Sequence, residues 1–318
     1  MRPADSTLDR VKTLFVDRTD EVNYFQTDLW PGASQRPVYY ITGEIEIGKS
    51  WLLHRFYLEC ATRSDVQAVM IDFSYGQGQF TDYRGILNDI KASLDDQAIF
   101  YRYLNSIAGA LHLPVKVETG AGDASKAVEI ADGAQAQNVK LDGQYAGRDI
   151  INIYLQDSNF LREPRLRTQI TQAFLQDLVE YLGNRTIFFL LDDIGASAQG
   201  QAYLDSDTRR WLIREFVIPL CKNKLLTARF VITQRDELET DLQTDLDPFT
   251  ESHPLTGFAG DQKTLYELYR TYLVEKQKIP AEQISDMLLY LFHQQVQGKP
   301  AMMFKWARDM KKNLGLRG

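Results

Sequence analysis

The chain has 318 residues, 44% hydrophobic and 25% charged, enough for one large domain or two modest ones with true hydrophobic cores. A net charge of −7 argues against a surface that grips nucleic acid over its whole extent, while leaving room for a local basic patch. The only two cysteines, Cys60 and Cys221, lie far apart and form no metal knuckle. They read as buried free thiols in a reducing cytoplasm, and no stretch approaches the roughly 18 apolar residues of a membrane helix.

An amphipathic lead-in opens the chain, and Thr19 is placed to cap a helix carrying Val22, Phe25 and Leu29 on one face. Pro31, Gly32 and Pro37 mark a loop before a first strand, Val38–Thr42. Next comes GEIEIGKS (43–50), which satisfies the phosphate-binding pattern G-x-x-x-x-G-K-[ST], and then the apolar helical text WLLHRFYL. A strand that stops abruptly into such a loop, at a helix N-terminus, aims backbone N–H groups into one concavity. The nucleotide contacts expected from this stretch are Gly43, Glu44, Ile45, Glu46, Ile47, Gly48, Lys49, Ser50 and Trp51. Lys49 would reach the β- and γ-phosphates, and the Ser50 hydroxyl would bind Mg²⁺. Glu46 admits two readings: a side chain turned to solvent, or a carboxylate near the phosphates that weakens binding. A positive φ there would mean strain.

A second strand over 68–73 and a helical region over 82–113 follow. Between 114 and 155 the text changes to short alternating stretches, VKVE, VEIA, VKLD and INIY, separated by Gly-containing turns. This is either a small strand-built insertion or an irregular one. A helix over 163–183 leads to TIFFLLDDI (186–194), a fully apolar strand ending in two aspartates. Parallel α/β sheets bind ligands outside the carboxyl edge, so Asp192 is the expected Mg²⁺ ligand and Asp193 the group that polarises an attacking water. Helix 207–224 precedes RFVITQR, whose Arg235 would contact the γ-phosphate, with Thr233 and Gln234 as weaker candidates. Arg209 and Arg210 read first as a solvated helix face. From 255 onward the text is helical and ends with GKP (298–300) opening a last helix. Apolar strands alternating with helices predict a parallel sheet covered on both faces, with a P-loop domain over 1–254 and a small helical lid over 255–318.

In this order, FVDR (15–18), GEIEIGKS, FFLLDD, VITQR and GKP resemble the STAND class of signal-transduction ATPases within the AAA+ group, including NACHT and NB-ARC proteins. The resemblance covers most of the chain outside 114–155. It implies the P-loop NTPase sheet order 5-1-4-3-2, with the acidic strand expected beside the phosphate-loop strand. It also implies that Val16 and Arg18 lie at the adenine and that Pro300 packs on the base from the lid. Asp17 and Glu46 stand where the family commonly has glycine. The implied function is an ATP/ADP- and Mg²⁺-dependent switch with slow hydrolysis that alters self-association or contacts with protein partners, in bacterial defence or regulation. Two other readings stand beside it: a nucleotide-stabilised scaffold with little turnover, and an AAA+-type ATPase remodelling nucleic acid or protein. The chain is expected to be either an excised core or a stand-alone switch.

Overall fold

A computed structural model of the protein describes residues 3–15, 18–30, 36–73, 82–94, 100–110, 115–117, 128–130, 163–195, 204–223, 227–234, 238–258 and 262–314. Helices α1 (Asp5–Leu14) and α2 (Thr19–Thr27) lead into β1 (Val38–Thr42), followed by α3 (Lys49–Ala61) and β2 (Val66–Asp72). Next come α4 (Tyr83–Ser93), α5 (Tyr101–Ala110), β3 (Val115–Val117), β4 (Val128–Ile130) and α6 (Pro164–Leu182). The chain continues with β5 (Thr186–Asp192), α7 (Ser206–Trp211), β6 (Ala228–Gln234), α8 (Thr240–Leu246) and β7 (Thr250–Pro254). The last helices are α9 (Gln262–Thr271), α10 (Asp286–Val296) and α11 (Pro300–Asn313).

Five strands form one parallel sheet in the order β2-β5-β6-β1-β7. Counted along the chain among these five strands, that is the 5-1-4-3-2 order of an α/β P-loop NTPase. One expectation is corrected: the acidic strand β5 is not beside β1, because β6 lies between them. All seven residues of β5 are buried. Their alternation splits them between two cores: Ile187, Phe189 and Leu191 pack with α4–α7, while Phe188 and Leu190 pack with α2 and α3. Each such fully buried side chain contributes roughly 1.5–3 kcal/mol. This central strand therefore fixes the height at which its terminal aspartates emerge.

The single helical region expected over 82–113 is two helices. Asp82 caps α4, its side chain accepting from the Arg84 N–H at 2.9 Å, and at Leu94 the backbone turns extended. Thr19 does not cap α2; it is the first helical residue, and Arg18 occupies the N-cap with φ +74°. In the 114–155 region β3 and β4 pair antiparallel. The stretches at 139–142 and 151–154 lie outside the described residues. A separate apolar cluster, including Phe258, Tyr269, Leu273, Phe292 and Met303, holds α9, α10 and α11 together. No helix among the described residues is long and apolar enough to cross a membrane.

Candidate nucleotide site

The loop between β1 and α3 is curled by positive φ at Glu46 (+65°) and Gly48 (+97°). Gly43 is required by proximity: a Cβ there would meet the Leu255 carbonyl oxygen at 2.7 Å, and that backbone is held by the Leu255 N–H donating to Thr42 O at 2.7 Å. The Lys49 ammonium, 9% exposed, folds over the loop and donates to the carbonyls of Gly43 at 2.5 Å and Glu44 at 2.8 Å. It lies at the α3 N-terminus, where the helix dipole also favours an anion.

Of the two readings of Glu46, its exposure favours the one in which the side chain faces solvent. Its side chain is exposed, so the carboxylate turns to solvent, yet its backbone is left-handed and therefore strained. Glu46→Gly should relieve about 1 kcal/mol of left-handed strain while returning a similar amount as unfolded-chain entropy. Thermal unfolding is expected to place the variant within about 1 kcal/mol of the parent. Its nucleotide affinity should stay within about twofold, and a tenfold gain would instead put the carboxylate at the phosphates.

At the carboxyl edge of the sheet, Asp192 is 2% exposed. The Thr233 hydroxyl donates to its Oδ1 at 2.5 Å, while Oδ2 is buried with no hydrogen-bond partner among the described residues. Burial pushes the Asp192 carboxyl up to about 6, with Asp72 and Asp193 adding to the rise and the Ser50 and Thr233 hydroxyls opposing it. Asp193, left-handed at φ +57°, donates its backbone N–H to Thr233 Oγ1 at 3.1 Å. Thr233 therefore orients both aspartates, a larger part than its sequence context indicated. A buried carboxylate oxygen beside a serine hydroxyl fits Mg²⁺, which is held by few carboxylates and completed by phosphate and water. Among the described residues, no three His, Cys, Asp or Glu side chains converge to hold a metal on their own.

The helical segment after β7 closes onto the loop. The Ala301 N–H donates to Glu46 O at 3.2 Å, and Lys299 Nζ lies 2.9 Å from Glu44 Oε2, holding that carboxyl below its ordinary range. A methyl on Gly48 would touch Pro300 at 3.5 Å, and the half-buried Trp51 ring lies 5.5 Å from Phe304. Ile47 is buried and Ile45 is exposed at the loop tip. Arg18 is drawn inward as a strut: its Nη2 donates to Ile47 O at 3.1 Å and to Thr256 O at 2.6 Å, and its Nη1 lies 3.4 Å from Glu21. It thus ties the loop to the segment that follows β7. Arg209 pairs with Glu239 at 3.3 Å, and Arg210 with Asp241 at 3.1 Å. Val16 and Arg235 lie outside the described residues.

No protein-family model matches the chain, and no curated protein matches it. Among solved structures it is similar to Cdc6p from Pyrobaculum aerophilum, at 14% identity and TM-score 0.48, over 98% of this chain and 67% of that one. It is also similar to the ORC2 protein of Aeropyrum pernix in its ADP form, at 12% identity and TM-score 0.43, over 98% of this chain and 64% of that one. At these scores the two likenesses add nothing to the sheet order and loop geometry, from which the fold is read.

Proposed function

We propose that the protein is an ATP-binding switch of the STAND type, with slow Mg²⁺-dependent hydrolysis, whose helical lid reports the state of the nucleotide to a second copy or a protein partner. The observation that carries this reading is the direct seating of the lid on the phosphate loop, through Ala301 on Glu46 O, Lys299 on Glu44 and Pro300 on Gly48. A ligand shifts such an equilibrium only by binding its two states unequally. Here the loop that would hold phosphate is also the surface the lid rests on, so occupancy and lid position compete or cooperate directly.

In this reading Lys49 leaves the loop carbonyls for the phosphates. Ser50 and Asp192 would hold Mg²⁺, which when bound screens the charge of the phosphates. Asp193 would accept a proton from the attacking water, and Thr233 keeps both aspartates aligned. Val16, Arg18 and Pro300 would frame the base, and Arg235 would meet the γ-phosphate. Because the Arg18 guanidinium already serves Ile47 O and Thr256 O, its role would be to couple the lid to the loop rather than to read the base edge.

The oligomeric state, measured by light scattering with ADP and with a non-hydrolysable ATP analogue, tests the switch. It should differ between the two nucleotides. Identical states, with no change in proteolysis of the 255–300 segment, would overturn the switch. Turnover stimulated by DNA would replace the switch with a remodelling ATPase, which the same core supports equally.

A further inference from the structure

We propose that Asp72 is a second acidic residue of the cation site, placed to hold a divalent cation through water beside Ser50 and Asp192. The inference rests on the nucleotide-site reading above and deepens it. In the register of β2 against β5, Asp72 is the partner of Asp192. Paired residues on neighbouring strands project to the same face, so the two carboxyl groups leave the sheet side by side at the edge where ligands bind.

On α3, His54 Nδ1 sits 2.6 Å from Ser50 O, and on the sheet Asp72 is paired in register with the residue that carries the candidate Mg²⁺ carboxylate. Two neighbouring carboxylates repel one another unless a positive charge lies between them. Packing alone gives no reason to bring a second acid beside a buried one. The unpartnered, buried Oδ2 of Asp192 supplies the independent sign that a positive group belongs there.

The described side chains do not form a three-ligand metal cluster. Asp72 therefore acts at one remove, accepting from water on the cation, as Mg²⁺ sites with few protein ligands commonly arrange. Sequence reading passed over it because Asp72 is followed by Phe73 and looks like a polar interruption within a strand. In fact β2 ends there, in the same way that β5 ends at Asp192.

Mn²⁺ binding, followed by electron paramagnetic resonance in the presence of a non-hydrolysable ATP analogue, reads this role without turnover. Asp72→Asn should weaken Mn²⁺ binding about three- to tenfold, the scale of one screened charge a few ångströms away. Nucleotide affinity in EDTA should be unchanged, and Asp72→Glu should recover most of the Mn²⁺ affinity. An unchanged Mn²⁺ affinity in Asp72→Asn would overturn the inference alone. An equal loss of nucleotide affinity in EDTA would also overturn it, by showing a structural role. Absence of Mn²⁺ binding to the parent protein with nucleotide would overturn the nucleotide-site reading and this inference with it.

Discussion

Lys49→Ala is expected to weaken ATP and ADP binding about 100-fold, enough to abolish it at micromolar concentrations. A charge-assisted contact to a phosphate contributes about 1.5–3 kcal/mol, and each 1.4 kcal/mol is a tenfold change in affinity. In the structure the ammonium is nearly buried against the carbonyls of Gly43 and Glu44, so it also organises the loop it serves. Alanine at the α3 N-terminus favours the helix, and the fold itself is expected to survive. Titration with a fluorescent ADP analogue, together with circular dichroism to verify folding, checks this. A folded variant whose affinity stays within about threefold of the parent would show that the loop does not cradle phosphate.

Asp193→Asn is expected to separate binding from chemistry. The residue sits in the left-handed region at φ +57°, which asparagine tolerates as well as aspartate, and its structural bond to Thr233 is made by its backbone N–H. The substitution thus removes the charge of the carboxylate while keeping that backbone bond. A positioned general base contributes typically about 10²–10⁴-fold, so turnover should fall by at least about 100-fold with affinity almost unchanged. Single-turnover phosphate release beside equilibrium binding gives both numbers. If the parent hydrolyses ATP and Asp193→Asn does so at the same rate, the water is activated elsewhere at this edge, and Asp72 is the first residue to examine.

Much of this was legible because its physics is local. TIFFLLDD announces a central strand by its unbroken apolar run, and the aspartates can emerge only where that run stops. GEIEIGKS announces a tight loop at a helix N-terminus because the glycine spacing dictates a backbone path. The sheet order followed from resemblance, but the neighbour of β1 was misjudged, since adjacency in a sheet is decided by crossovers that no single strand encodes.

What the sequence hid was tertiary. Arg18 is placed by resemblance at the adenine, yet its guanidinium reaches Thr256, 238 positions away. Thr233 reads as a strand-end threonine and becomes the pivot of two aspartates only when β5 and β6 pair. Glu46 shows another limit. The sequence leaves open whether its side chain faces solvent or the phosphates and whether its backbone is left-handed; the loop around it gives an exposed side chain on a left-handed backbone.

The central claim is that this loop and sheet edge bind an adenine nucleotide. The most direct measurement is the nucleotide released by denaturing the purified protein, quantified by chromatography and completed by calorimetric titration of any nucleotide-free fraction with ATP and Mg²⁺. The account predicts bound ADP or ATP, or tight binding on titration, that is lost in Lys49→Ala. A folded protein that carries no nucleotide and shows no binding at millimolar ATP and Mg²⁺ would contradict it.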